Sequence, residues 1–410
     1  MDGILSQYMG FLDSFNMSSV TDALKGAGLG KLTGGGGSVV GIDIGTSAIK
    51  VVQLRNEDGA AVLETYGELS LGPYADIEIG RATALDVDKL AEALRDILRE
   101  ANVTTKACGV SIPFASSLIT LLELPEVDTK TLKTMIPLEA RKYIPVPLSE
   151  VQLDWFVVPE GDLKYLSKEQ QEGEGQDSKP AAAQTAQAKE EEEPHGTSIH
   201  VLLVAIHNEV LRKFNTVLQG AGLSPSFYEI EIFSSIRASL GRGIAPIIIL
   251  DIGAATSKLY VVEAGVVRAT HVINRGSQDI TLTFAKAANI AVTRAEELKR
   301  THGLGGTDET GQLLERFALS SMEHIFAEAE RSVAAYQRRY QTSIGQVILT
   351  GGGSTLQGLL PVAKKKFERE VMMANPFKKV ATPAFLEDIL EQAGPEFAVA
   401  VGLALRKLKE

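Results

Sequence analysis

Two short stretches carry residue types that can hold a phosphate and its metal. The first is Val40-Gly41-Ile42-Asp43-Ile44-Gly45-Thr46-Ser47-Ala48-Ile49-Lys50-Val51-Val52, and the second is Ile249-Leu250-Asp251-Ile252-Gly253-Ala254-Ala255-Thr256-Ser257-Lys258-Leu259-Tyr260-Val261-Val262. Each reads as a buried strand, a tight turn and a second strand. Both contain Asp-Ile-Gly, with a Lys seven positions after the Asp. Such a hairpin offers a carboxylate and backbone N–H groups, a pairing that can grip a nucleotide phosphate and its metal. Two of them face to face make a clamp. Taken singly, Asp43 or Asp251 reads equally well as a turn residue; the repetition carries the weight. A third stretch, Gln346–Thr350 followed by Gly351-Gly352-Gly353-Ser354, runs strand to glycine loop to helix, where an anion or a flat base can approach the backbone. The Walker pattern Gly-x-x-x-x-Gly-Lys-Ser/Thr is absent, as is a Gly-x-Gly-x-x-Gly after the first strand. No His/Cys cluster has metal-ligand spacing.

These stretches need two α/β lobes to position them. Strands are predicted over Ser38–Ile44, Ala48–Arg55 and Ala61–Leu69, a helix over Asp86–Ala101 with an apolar stripe at Leu90, Leu94, Ile97 and Leu98, and a buried strand over Lys106–Ile112. The opening of three strands recurs after residue 246. A nearly all-helical section follows, Asp279 to Gln341, and the chain closes on a small-residue helix, Pro395–Lys407. The expected division is residues 1–37, an amphipathic segment and glycine linker; 38–115, the first lobe; 116–226, an inserted α+β module; 227–245, a connecting helix; 246–395, the second lobe, helical over about 275–343; and 396–410, a closing helix returning to the first lobe. Within the module, residues 159–196 are acidic, poor in apolar residues and expected to be disordered.

The bulk numbers narrow the function. A net charge of −11 over 410 residues argues against a nucleic-acid binder. The only cysteine is Cys108, so no disulfide forms within the chain and a reducing cytoplasm is the expected compartment. No apolar run approaches the roughly 20 residues that span a bilayer. In residues 1–37, Ile4, Leu5, Tyr8, Met9, Phe11, Leu12 and Phe15 share one helical face. That face either packs on its own domain or docks in a partner groove. Asp2 and Asp13 on the polar face disfavour a membrane surface.

The order hairpin, module, hairpin, helices, glycine loop resembles the actin-like ATPase superfamily: a two-lobed fold of duplicated RNase H-like domains. Within it, the chain is most similar to the type IV pilus assembly family PilM, related to the division protein FtsA. The run Leu138-Glu139-Ala140-Arg141-Lys142-Tyr143-Ile144-Pro145-Val146-Pro147-Leu148 is the segment that resembles this branch most, in its SHS2-type extra subdomain. The resemblance implies ATP and magnesium as ligands. Asp43 and Asp251 would face the metal through water. Gly45, Thr46 and Ser47 would hold phosphate oxygens from one side, and Gly253, Ala255 and Thr256 from the other. Lys50 either joins them or merely ends a strand. Glu231 would position the attacking water, Glu296 and Lys299 would meet ribose and adenine, and Gly351, Gly352 and Gly353 would admit the adenosine. One departure stands out. Ala254-Ala255 replaces a glycine pair common in relatives, so ATP binding is expected with weak or absent hydrolysis.

The implied function is a cytoplasmic, ATP-binding scaffold of type IV pilus assembly. It would dock the cytoplasmic tail of a PilN-like inner-membrane protein, work among other pilus assembly proteins, and reach the membrane only through that partner. Residues 117–124, 140–158 and 200–206 are the expected groove walls. An FtsA-like filament former and a small-molecule kinase on the same fold are the alternatives.

Overall fold

The computed structural model describes residues 37–158, 198–241 and 245–409. The amphipathic face at residues 4–15 and the acidic loop 159–196 lie outside the described residues. The chain divides into two compact units, Met1–Ser117 with His207–Glu410, and Leu118–Ile206.

The larger unit opens with β1 (Ser38–Ile44), β2 (Ala48–Glu57) and β3 (Ala60–Ser70), then α1 (Val87–Glu100) and β4 (Ala107–Ile112). Asp86 caps α1 by accepting the Lys89 N–H at 2.9 Å, and Leu90, Leu94 and Ile97 are buried at helical spacing. Burying each such side chain contributes roughly 1.5–3 kcal/mol over leaving it exposed.

The smaller unit contains β5 (Ser117–Pro125), α2 (Thr129–Ala140), β6 (Val151–Val158) and β7 (Ser198–His207). Its sheet runs in the order β5-β7-β6. Its core joins Leu122, Leu124, Leu132, Ile136, Val201 and Leu203. A cavity of about 430 Å³ is lined by Arg141, Ile144, Val146, Pro147, Leu148 and Ser149, and Leu138 and Tyr143 are exposed nearby in sequence.

The chain re-enters the larger unit through α3 (Asn208–Gly220), β8 (Ser224–Ile230) and α4 (Glu231–Ser239). β8 pairs in parallel with β4, from Ala107 opposite Ser224 to Ile112 opposite Ile230. Lys213 Nζ donates to Leu85 O at 3.2 Å, and Arg95 donates to Gly220 O at 2.9 Å. Residues 208–226, expected in the inserted module, therefore stand with the first lobe. The deciding contact is the β4–β8 ladder, whose partners lie far apart in sequence.

The second lobe follows: β9 (Ile247–Ile252), β10 (Ser257–Glu263), β11 (Val266–Ile273), α5 (Ser277–Ala288), α6 (Val292–His302), α7 (Glu309–Tyr340), β12 (Gln346–Thr350), α8 (Leu359–Phe367) and β13 (Glu370–Met373). The two five-stranded sheets share one plan, β3-β2-β1-β4-β8 and β11-β10-β9-β12-β13. In each, the first three strands in sequence form an antiparallel meander and the last two add in parallel. α7 buries Leu314, Ala318, Met322, Ile325, Ala329 and Val333 against the second sheet's core.

After α9 (Glu387–Ala393), α10 (Ala398–Lys409) returns to the first lobe. It lies so close that a Cβ on Gly41 would stand 2.0 Å from Ala400 O, and one on Gly402 would stand 2.0 Å from Ser234 O. Only small residues let this helix cross β1 and α4. A fully buried charged cluster ties the same elements. Glu229 Oε1 accepts from Arg406 Nη1 at 2.9 Å and from Arg237 Nη2 at 2.8 Å, Oε2 accepts from Arg237 Nη1 at 2.7 Å, and Ser234 Oγ also donates to it. Burial pushes the Glu229 pKa up, but Arg237 and Arg406 outweigh it and hold the carboxyl below its ordinary range.

Candidate functional site: a two-hairpin cleft

The hairpin registers explain the seven-residue spacing. Asp43 sits directly opposite Lys50 across β1 and β2, and Asp251 sits directly opposite Lys258 across β9 and β10. Both turns close alike: Gly45 N donates to Ala48 O and Gly253 N donates to Thr256 O, each at 3.0 Å. These two glycine N–H groups are thus spent on the turn.

The two turns, the loop after β12 and the first turn of α4 line one cleft of about 410 Å³. That is the size of an ordinary small-molecule site. All fifteen residues singled out from sequence line it: Asp43, Gly45, Thr46, Ser47, Lys50, Glu231, Asp251, Gly253, Ala255, Thr256, Glu296, Lys299, Gly351, Gly352 and Gly353.

On the first-lobe side, Ser111 Oγ donates to Asp43 Oδ1 at 2.8 Å. Burial, then the nearby Glu231, pushes the Asp43 carboxyl up to about 6, against the pull of Lys50. Lys50 pairs with Glu68 at 3.3 Å. Burial works against its charge, yet Glu68, Glu396 and Asp43 hold its pKa above the ordinary lysine value. On the second-lobe side, Tyr260 donates its hydroxyl to Asp251 Oδ2 at 3.1 Å. Burial raises the Asp251 pKa, Lys258 opposes, and Glu231 adds to the rise. Glu231 bridges the two sides. Its Oε1 accepts the Phe114 N–H at 2.7 Å, and its Oε2 meets Lys258 Nζ at 2.8 Å.

Deeper in the second lobe, Glu296 accepts from Thr281 Oγ1 and Lys299 Nζ, both at 2.7 Å, and from Arg300 Nε at 2.8 Å. Burial lowers the Lys299 pKa below that of a free lysine. The glycine loop is held by Gly351 N donating to Pro395 O at 2.9 Å. The lobes also touch where Ala82 N donates to Gln278 Oε1 at 2.9 Å.

Neither Ala254 nor Ala255 adopts a positive φ. The alanine pair therefore sits in the turn without backbone strain, and its added bulk is confined to two methyl groups. The turn's carbonyls are also fixed: Gly253 O accepts from Ser277 N at 2.9 Å and Ala254 O from Gln278 N at 3.0 Å, both at the start of α5.

Six carboxylates (Asp43, Glu68, Glu231, Asp251, Glu296, Glu396) and four cations (Lys50, Lys258, Lys299, Arg300) line the cleft. A polyphosphate entering this acidic surplus needs a divalent cation with it. Among the described residues no three potential ligands stand close enough to cage a metal on their own. Asp43 and Asp251 suit a small cation that keeps most of its waters and takes the rest of its ligands from phosphates.

Sequence reasoning left Ser111, Glu68, Glu396, Arg300 and Lys258 unassigned. Lys258 had a visible signal, the shared seven-residue spacing. Ser111 had none, being one polar residue in the apolar run of β4.

A family model described as Type IV pilus assembly protein PilM matches residues 41–164 and 187–408, well over half the chain. The chain belongs to the PilM family. Its backbone is similar to that of a solved PilM–PilN type IV pilus biogenesis complex, with a TM-score of 0.70 and 24% identity, covering 91% of this chain and 99% of that one. This likeness places the PilM-family chain in the actin-like, two-lobed α/β fold with an inserted α+β unit. The cell division protein FtsA of Agrobacterium fabrum (strain C58) is 26% identical over 51% of each chain, and that of Rhizobium meliloti (strain 1021) is 24% identical over the same share. The chain spans about half the length of the curated relatives it matches. No described helix is long and apolar enough to cross a membrane.

Proposed function

We propose that this chain is an ATP-binding scaffold of type IV pilus assembly, working at the cytoplasmic face of the inner membrane. The observation that carries the nucleotide part is the convergence of Asp43, Asp251 and Gly351 on one cleft, each from its own strand end. Asp43 and Asp251 would hold a magnesium ion accompanying ATP, which would offset the charge of the phosphates. Thr46 and Ser47 contact the phosphates from one lobe and Ala255 and Thr256 from the other; Glu296 and Lys299 meet the nucleoside. A ligand that touches both lobes biases their closure.

The inserted unit supplies the docking function. Its cavity at Arg141–Ser149 and the exposed Leu138 and Tyr143 suit the apolar anchors of a short peptide, the cytoplasmic tail of a PilN-like inner-membrane protein. The family match supports this choice over an FtsA-like filament.

Calorimetric titration of MgATP into the purified protein tests the cleft. Saturable binding is expected, lost in both Asp43→Ala and Asp251→Ala. A wild-type protein that takes up no nucleotide would leave a docking scaffold that keeps only the fold.

A further inference from the structure

Both carboxylate oxygens of Glu231 already hold a partner. Oε1 accepts the Phe114 N–H at 2.7 Å, and Oε2 accepts Lys258 Nζ at 2.8 Å. The lysine comes from the opposite lobe, and its ammonium also stands 3.7 Å from Asp251 Oδ2. The Lys258 and Glu231 side chains are only 16% and 12% exposed, so solvent screens the pair weakly. A carboxylate that orients or deprotonates a water must offer it an oxygen within hydrogen-bond reach. A charge-assisted bond is about twice as strong as a neutral one. Water therefore competes poorly with Lys258 for Oε2.

We infer that Lys258 is a latch: it pins Glu231 across the cleft, serves as resident counter-ion to Glu231 and Asp251, and keeps hydrolysis of a bound nucleotide slow. This rests on reading the cleft as a MgATP site. In hydrolysis the water oxygen bonds to the γ-phosphorus. The bond from that phosphorus to the β,γ-bridging oxygen breaks, leaving its electron pair on ADP, and a water proton passes to a base. The ammonium on Oε2 disfavours that role, because it draws off the negative charge a base needs and takes one of the two lone-pair sites of that oxygen. A divalent cation and an ammonium compete for the same carboxylates, so a magnesium ion held by Asp43 and Asp251 would weaken the hold of Lys258. The Lys258–Glu231 bond thus couples the occupancy of the cleft to the contact between the lobes. The alanine pair at 254 and 255 is then not the sole brake on turnover.

Lys258→Met, Glu231→Gln and the double variant test this in the full chain. In the nucleotide-free protein, Lys258→Met leaves carboxylates without their counter-ion and melts below wild type. Adding Glu231→Gln removes one of those charges, so the double variant melts above Lys258→Met alone. A double variant that melts at or below Lys258→Met overturns the latch, whatever the protein does with ATP. With MgATP, phosphate release per bound nucleotide should rise about a hundredfold in Lys258→Met, the low end of what one general base supplies. It should fall back to the wild-type rate or lower in the double variant. Lys258→Met that binds nucleotide yet releases phosphate no faster than wild type also overturns the latch. If Lys258→Met does not fold, Lys258→Gln replaces it in the same comparisons. Failure of the wild-type protein to bind MgATP sinks the site assignment instead, and the melting comparison still judges the ion pair.

Discussion

Gly351 allows a sharp test, because Gly352 beside it shares its loop but not its constraints. Its φ is +82°, in the region that side chains avoid. A Cβ built on it would stand 2.2 Å from Asp251 Oδ1 and 2.6 Å from Ile252 O. The residue cannot rotate away, since its N–H donates to Pro395 O at 2.9 Å and its carbonyl accepts from Ser354 N at 3.0 Å. A left-handed conformation costs an L-residue about 1–2 kcal/mol. Forcing a methyl group into a packed site costs about 1–3 kcal/mol more. Gly351→Ala should therefore lose roughly 2–5 kcal/mol in urea denaturation and weaken MgATP binding by displacing the Asp251 carboxylate. Gly352→Ala is the control. There a Cβ would lie 3.6 Å from Glu396 Oε2, an ordinary contact, and φ is not positive. It should match wild type or gain about 0.4–1 kcal/mol through the unfolded chain. Equal stability of the two variants would refute the claim that conformation and close approach, rather than membership of the loop, demand glycine at 351.

Asp43→Asn bears on the buried charge. The folded-state pKa of Asp43, about 6, lies above its ordinary 3.8, so the folded protein holds the proton more tightly than the unfolded chain does. The stability this lends is complete below pH 4 and lost as pH rises through 6. An asparagine side chain mimics the protonated form, so the variant should be more stable than wild type at pH 7.5 and equal to it at pH 4, read by urea titration at both. A constant difference between them would contradict the shift. In the buried cluster, Glu229→Gln strands two arginines and should cost about 3–5 kcal/mol, whereas Arg406→Met leaves the two-oxygen pairing with Arg237 intact and should cost less. Denaturation midpoints of the two variants decide the order.

The repeated hairpins were legible because a tight turn makes sequence distance equivalent to spatial contact. Residues i and i+7 face each other across it, so Asp43–Lys50 and Asp251–Lys258 show their pairing in their spacing. α1 was equally plain, from its Asp86 cap and buried stripe. β13 carries no such signal: it is four residues long, with only Val371 buried, and is held by its parallel ladder to β12. The module boundary was misplaced for the same reason. Nothing in Ser224–Ile230 itself says that β4 is its neighbour. Within the cleft, the positions of Asp43, Asp251 and the glycine loop could be read from motif order. The bond between Lys258 and Glu231 could not, because it depends on how the two lobes meet.

The first lobe is built from opposite ends of the chain. Val39, Val52 and Leu54 are buried in one cluster with Ala400, Val401 and Ala404 of α10. The second lobe's sheet comes from a single stretch, Ile247 to Met373. On a ribosome the chain emerges N-terminus first, and long-range contacts form late. The lobe started first is therefore finished last. The half of the cleft that carries Asp43 has no cover until the last turns of α10 have been made, so a nascent chain holds no complete cleft before then. The order of synthesis itself delays the completion of the cleft.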